Sequence, residues 1–361
     1  MCLRALPLRL VLLSFALAGP APAQWIPQSS PTNAELRGLS VVSPRAAWAS
    51  GQHGTVVRTA DGGVTWTLDT IPGASALDLR AIAATSATTA HAISIGDSSR
   101  IYRTTDGGRS WSMVWSATRK GTFLDAIRFW DAQHGIAMSD PVNGAFLLLT
   151  TDDGGATWQE IPAEHVPPAL EGEGAFAASG SCLAVYGSSD VWLASGGARV
   201  ARVYHSANRG QSWQVYDTPI RAGAPSAGIF SVAFRDARHG VIAGGDYQKP
   251  ALRGRNVALT SDGGVTWTLV DSAASPAGYR SAVEFIPGTN GRALVAVGLT
   301  GTDVSRDGGR TWTQVDSVAY NSVQYATRAV GWAVGPKGRI AKSAIVSVRA
   351  RDAGGSRRRA P

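Results

Sequence analysis

The chain has 361 residues, with 42 Gly, 12 Trp, two Cys and a formal net charge of +8. Hydrophobic residues make up 44% and charged residues 17%, which excludes a disordered chain, a collagen-like chain and a disulfide-stapled mini-protein. Much of the positive charge sits at the two ends, in Arg4 and Arg9 and in Arg349, Arg351, Arg357, Arg358 and Arg359. The body between them is near neutrality, so no nucleic-acid partner is expected.

The start reads as an export signal. Arg4 and Arg9 precede an apolar run, Leu10 to Ala18, that is shorter than the ~20 residues of a spanning helix. Ala21-Pro22-Ala23 then offers a small-residue cleavage site. Residues 1–23 are expected to be a signal peptide, 24–346 one folded unit and 347–361 a basic disordered tail. The mature protein is then periplasmic or extracellular, without stable membrane insertion. Its single cysteine, Cys182, lies in Ser181-Cys182-Leu183-Ala184-Val185, which reads as a buried strand.

One eight-residue frame returns six times. Its first copy is Thr59-Ala60-Asp61-Gly62-Gly63-Val64-Thr65-Trp66, with later copies ending at Trp111, Trp158, Trp213, Trp267 and Trp312. Each has Ser or Thr first, an acid or its amide third (Asp61, Asp106, Asp153, Asn208, Asp262, Asp307), Gly fifth, Ser or Thr seventh and Trp last. A carboxylate at the third position can accept backbone N–H groups and close a tight turn. Glycine supplies positive φ. Apolar pairs such as Val56-Val57 precede the frame and Thr67-Leu68 follows it, so each copy is strand, turn, strand.

This frame resembles the Asp-box of bacterial neuraminidase repeats, in its short form, over roughly residues 24–346. Two groups share it: sialidase-like glycosidases and non-catalytic propellers resembling the photosystem II stability/assembly factor. Bacterial members of the second group are often labelled oxidoreductase or glycosyl hydrolase. The resemblance implies a β-propeller and leaves activity open.

The box tryptophans recur at intervals of roughly 45–55 residues, the length of a four-stranded blade. Unit one reads Leu36-Arg37-Gly38-Leu39, Ala47-Trp48-Ala49-Ser50, Gly54-Thr55-Val56-Val57, box. Later units are expected to begin near Leu79, Leu124, Phe176, Ile229 and Tyr279. Insertions are expected at Glu164–Gly174 and Tyr247–Arg255. A seventh unit without a box follows: Tyr320–Gln324, Gly331–Val334 and Gly338–Ser343. Trp25-Ile26-Pro27 resembles the strand after a box. The expectation is an all-β, seven-bladed propeller of four-stranded antiparallel blades, whose seventh blade is closed by the N-terminal strand.

In such a meander all boxes lie on one face, and their aspartates and tryptophans are structural. The opposite face gathers Arg37, Arg80, Asp125, Phe230 and Arg280 at equivalent starts of first strands. Gln52-His53, Asp97, Asp140, Arg199 and the stretch Asp246-Tyr247-Gln248-Lys249 with Arg253 and Arg255 surround them. Arg37, Arg80 and Arg280 with Asp246 and Tyr247 form the candidate binding site, suited to a protein or peptide partner in the cell envelope. A neighbouring acid such as Asp78 or Asp125 pairing with each arginine is the competing reading.

No catalytic set is complete. A sialidase uses three arginines on the substrate carboxylate, a Tyr activated by Glu, and an Asp; Glu284 with Tyr247 is the one pair to weigh for that alternative. No dinucleotide glycine motif, CxxC or metal spacing is present, so no cofactor and no metal are expected. His134-Gly135 and His239-Gly240 occupy equivalent turns, as repeat structure does. The expected function is a non-catalytic, monomeric binding or assembly propeller, with a sialidase-like glycoside hydrolase as the alternative.

Overall fold

The computed structural model describes residues 25–96 and 99–344. The expected signal peptide, Asp97 and the arginine-rich tail lie outside the described residues. The described chain forms seven four-stranded antiparallel sheets. Six are meanders of consecutive strands, and the seventh has the order Trp25–Gln28, Ile340–Ser343, Val330–Val334, Ser322–Thr327. The first strands of the sheets touch one another in sequence, and the last touches the first, so the seven blades close a ring around a channel. This is the seven-bladed, four-stranded propeller expected from the repeat.

Alternation explains how the blades stack. The second and third strands are buried along nearly their whole length, whereas fourth strands such as Thr67–Thr70 are mostly exposed. The apolar side chains of each sheet meet those of the next in seven separate clusters, one per blade junction. Each box tryptophan fills the junction with the preceding blade. Trp66 meets Trp332 edge-on at 6.3 Å, and Trp111 meets Trp48 edge-on at 6.2 Å. Trp213, Trp267 and Trp312 donate their indole N–H to the glycine carbonyl of their own box.

The box turns have one repeated wiring. In the fifth, the Thr260 hydroxyl donates to Asp262 Oδ1 at 2.7 Å and accepts the Gly264 N–H at 3.0 Å. The carboxylate in turn accepts the backbone N–H and the hydroxyl of Thr266, at 3.0 and 2.5 Å. This assigns work to the two hydroxyl positions as well as to the acid. Asn208 keeps the pattern: its Oδ1 accepts the Ser212 N–H and its Nδ2 donates to Ser212 Oγ. Arg209 takes the positive φ (57°) that glycine takes elsewhere.

The bonds from Ser110 hold Asp106 down at about 2. At Asp262 burial acts upward, but the hydrogen bonds from Thr266 override it and leave the carboxyl at about 2. Asp262→Ala should cost about 1–2 kcal/mol, toward the low end because the carboxylate is largely solvated. A depressed acid stabilises the fold above its unfolded pKa and loses that contribution as pH falls through the folded value. The gap in urea midpoint between wild type and D262A should therefore be full above about pH 5 and shrink from about pH 4 toward pH 2. A gap that stays constant over that range would show that the carboxylate charge is not what holds the turn.

Two units start later than expected, blade six at Ala282 rather than Tyr279 and blade four further on still. The first strand of blade four is Leu183–Tyr186, not a strand from Phe176. The preceding residues cross the channel instead. Ser179 Oγ donates to the Ser281 carbonyl of blade six at 2.8 Å, and Ser181 Oγ to Ser231 Oγ of blade five at 2.8 Å. The Ala178 carbonyl faces Arg37 Nη1 of blade one at 3.5 Å, and Ser322 Oγ of blade seven approaches the Ser179 carbonyl at 3.5 Å. Gly180 (φ 67°) packs so closely on Ala81 of blade two that a Cβ would come within 2.7 Å of the alanine methyl. Contact with five other blades places residues 176–181 as a plug in the channel.

Candidate functional site

The residues at the starts of first strands share a backbone feature that composition does not reveal. The pairing of first with second strand slips between Leu36 and Gly38, Leu79 and Ala81, Leu124 and Ala126, and Ile229 and Ser231. Arg37, Arg80, Asp125 and Phe230 are the extra residues of those four bulges. A bulge leaves one residue unpaired and re-aims its side chain. Four blades thus turn one side chain each away from the sheet, at the end of the ring opposite the boxes.

These side chains differ in availability. Arg37 is part-exposed and paired with Glu35 at 2.8 Å; Arg80 is part-exposed and paired with Asp78 at 2.8 Å. Each pair joins the arginine to an acid just before its strand and keeps water access, so each guanidinium retains donors for a ligand. Arg280 is different: it is 0% exposed. Its Nε and Nη2 both donate to Asp303 Oδ2, and its Nη1 donates to the Tyr279 carbonyl at 2.7 Å and to Thr300 Oγ1 at 2.8 Å. Arg280 therefore lies beneath the face rather than on it.

Asp125 is also fully buried, and its carboxyl oxygens have no hydrogen-bond partner. Burial, and then the nearby Asp140 charge, raise it well above the carboxylate range against the pull of Arg80. Burial pushes Asp140 up to about 6, while the Ala175 N–H, donated to its Oδ1 at 2.7 Å, pulls the other way. Asp140 thus holds the residue that leads into the plug.

An aromatic floor completes the face. Phe176, carried by the plug, stacks on Phe230 at 3.9 Å and 13°. Tyr279 meets Phe230 edge-on at 4.7 Å. Tyr247 stands edge-on to both Phe176 and Phe230, at 6.5 and 6.2 Å, and is 43% exposed. Asp246 is buried and accepts the Gln248 N–H at 3.0 Å, so it shapes the loop that presents Tyr247. Leu252 is exposed on the same loop, beside Lys249 and Arg253. The loop is anchored by the Arg221 guanidinium, which donates to the Arg253 and Gly254 carbonyls, and by the Tyr279 N–H, which donates to the Pro250 carbonyl.

The structure places Tyr247 against the aromatic floor and Arg37 against the plug that carries Phe176, with Arg80 on the blade next to that of Arg37. Sequence reasoning missed Phe176 and Tyr279 as surface-forming groups, having taken both as strand starts. Glu284 is not brought to Tyr247. It lines a cavity with Asp236, Asn290 and Phe285 toward the box end of blade six, where burial raises it to about 7 against the pull of Arg128. His134 and His239 each bond an Asp three residues earlier, Asp131 and Asp236, in the same turn. No cluster of three or more metal-ligating side chains exists among the described residues. No helix among them is long and apolar enough to cross a membrane.

Over residues 19–122 the chain matches the family described as photosynthesis system II assembly factor YCF48. No curated protein sequence matches it significantly. Among solved structures it is similar to YCF48 bound to D1 peptide, with 18% identity, TM-score 0.64, and 89% of this chain and 96% of that chain covered. It is likewise similar to YCF48 from Cyanidioschyzon merolae, at 19% identity and TM-score 0.62, covering 89% and 99%. The GH74 xyloglucanase from Xanthomonas campestris matches at 16% identity and TM-score 0.63, covering 89% of this chain and 53% of that chain. At these identities the shared property is the propeller fold.

Proposed function

We propose that the protein is a non-catalytic binding or assembly propeller that recognises a protein or peptide partner through the face opposite the boxes. One observation carries this reading: the half-exposed Tyr247 stands edge-on to Phe176 and Phe230, and Arg37 reaches the Ala178 carbonyl of the plug that carries Phe176. Tyrosine and arginine are the side chains that most often anchor interfaces. Guanidinium forks suit carboxylates on a partner chain. Rigid blades hold the loops at low entropic cost, so recognition needs no lid. The likeness to YCF48 bound to D1 peptide supports a peptide-type ligand.

In this reading the six boxes serve the fold, the first strand locks the ring, and Arg280 and Asp246 act by holding Tyr279 and the Tyr247 loop in place. Residues 1–23 direct export, and the partner resides in the cell envelope. The protein acts as a monomer and needs no cofactor or metal. The sialidase-like alternative draws on the Arg-rich face, but Arg280 is engaged by Asp303 and Glu284 lies away from Tyr247.

The test is a pull-down of partner from envelope extract, followed by titration with R37A/R80A and with Y247A. Each variant should keep the wild-type Tm and lose about tenfold or more in affinity, the loss of a hot-spot contact. Wild-type affinity in both variants would move the site elsewhere. Turnover of a fluorogenic sialoside by wild type would favour the hydrolase.

A further inference from the structure

The box face carries a second feature, independent of the face discussed above. Between blades five and six runs an open cleft of about 860 Å³, with Arg235, Arg292, Arg306 and Arg310 along it. We propose that this cleft binds an acidic saccharide chain, one carrying uronate or sulfate groups.

The repeat provides an internal control for the arginines. The second and sixth box positions hold Ala60 and Val64, Thr105 and Arg109, Asp152 and Ala156, Ala207 and Gln211, Ser261 and Val265, and Arg306 and Arg310. The turn closes with any of these pairs, because the side chains in its shared wiring stand at the first, third and seventh positions and the sixth contributes at most its backbone N–H. Two arginines in the sixth box are therefore surplus to the fold. Arg292 and Arg306 are exposed, and their side chains make no hydrogen bond or ion pair with the described residues. Arg310 Nη1 donates to the Asp307 carbonyl at 2.8 Å, and Arg235 Nη1 to the Asn290 carbonyl at 2.9 Å, which fixes both at the rim.

Two carboxylates share the cleft, and both are engaged. Asp307 accepts the N–H groups of Arg310 and Thr311 and the Thr311 hydroxyl. Asp271 accepts the Ala273 N–H at 2.8 Å. Asp236 pairs with Arg235 Nε at 3.5 Å and is held by His239 at 2.9 Å, so Arg235 is partly compensated. Positive charge remains in excess along the lining.

A second comparison separates shape from charge. An equivalent groove of about 780 Å³ lies between blades three and four, lined by Trp130, His134, Asp152, Glu160 and Arg209 among others. It has one arginine against two acids. Blade geometry thus produces the groove, and the side chains of blades five and six add the arginines.

The chemistry of the walls selects the ligand. Guanidinium forks match the paired oxygens of carboxylate and sulfate. The hydroxyl-bearing Ser261 and Thr268 and the amide-bearing Asn290 lie between them, suiting sugar hydroxyls. Phe285 and the His239 imidazole are the rings in the lining; Phe285 is only part-exposed and His239 is bonded to Asp236, so the cleft lacks the open stacking platforms that single-stranded nucleic acid uses. The outer strand of blade five is only Thr268–Leu269, too short an edge to seat an extended acidic peptide.

The experiment titrates the protein with a heparin-derived hexasaccharide by calorimetry at low and moderate salt. Wild type should bind, more weakly as salt rises. R306A/R310V, which installs the residues of the first box, should fold normally and lose about tenfold or more in affinity. R292A should weaken binding as well, and R109V, at the equivalent place in the second box, should leave it unchanged. Absence of wild-type binding, unchanged affinity in R306A/R310V and R292A, or equally tight binding of hexaglutamate would each overturn the proposal.

Discussion

Arg280→Ala is expected to destabilise the protein by about 3–5 kcal/mol, the usual consequence of leaving one partner of a buried ion pair uncompensated. Both members are sealed: the Arg280 side chain is 0% and that of Asp303 2% exposed. Removing the guanidinium would strand the carboxylate in blade six. It would also free the Tyr279 carbonyl, which Arg280 Nη1 holds at 2.7 Å. Tyr279 packs edge-on against Phe230, so the aromatic floor beneath Tyr247 should loosen and partner binding should weaken with it. Urea denaturation measures the first effect. The double variant R280M/D303L removes both charges and should recover most of the loss, because apolar replacements of a buried pair are often neutral. Arg37→Ala, at a part-exposed pair, should cost less than about 1 kcal/mol. Equal costs for Arg37→Ala and Arg280→Ala would mean that burial does not distinguish them.

That contrast shows where sequence reading stops. The box spacing predicts first strands at Leu79 and Leu124, and strands begin at those residues. The period fails at Phe176, because an apolar stretch that plugs a channel has the same composition as one that enters a blade. Only contact with five other blades reveals the difference. Arg37, Arg80 and Arg280 look equivalent in the chain. What separates them is an acid at Glu35 or Asp78, two residues away in solvent, against an acid at Asp303 on another strand in the interior. The bulges at Arg37, Arg80, Asp125 and Phe230 are properties of pairing register, which no single segment displays. The platform of Phe176, Phe230, Tyr247 and Tyr279 was hidden for the same reason: its members come from two blades and a plug.

The other large effect belongs to the strand that joins the two ends of the ring. Trp25–Gln28 pairs antiparallel with Ile340–Ser343, with Trp25 opposite Ser343 and Gln28 opposite Ile340. Trp25 is buried in the junction of blades six and seven, tilted against Tyr320 at 5.5 Å and Tyr325 at 6.5 Å, and donates its indole N–H to Thr302 Oγ1 at 3.0 Å. Gln28 is wired into the other junction. Its Oε1 accepts the indole N–H of both Trp66 and Trp332, at 3.0 and 2.9 Å, and its Nε2 donates to the Gly63 carbonyl at 2.7 Å. Four residues therefore tie blade seven to blades six and one. Trp25→Ala should cost about 3–5 kcal/mol, from lost burial and the cavity left behind. Gln28→Ala should cost about 2–3 kcal/mol, because two indole donors lose their acceptor. Removing residues 25–28 altogether would expose Ile340–Ser343 as an open edge, and an open edge recruits other chains. Thermal unfolding of the point variants, with size-exclusion chromatography of the truncated protein, reads these outcomes. A truncated protein that melts with wild type and elutes as the same species would mean that the ring is held by its other six blades alone.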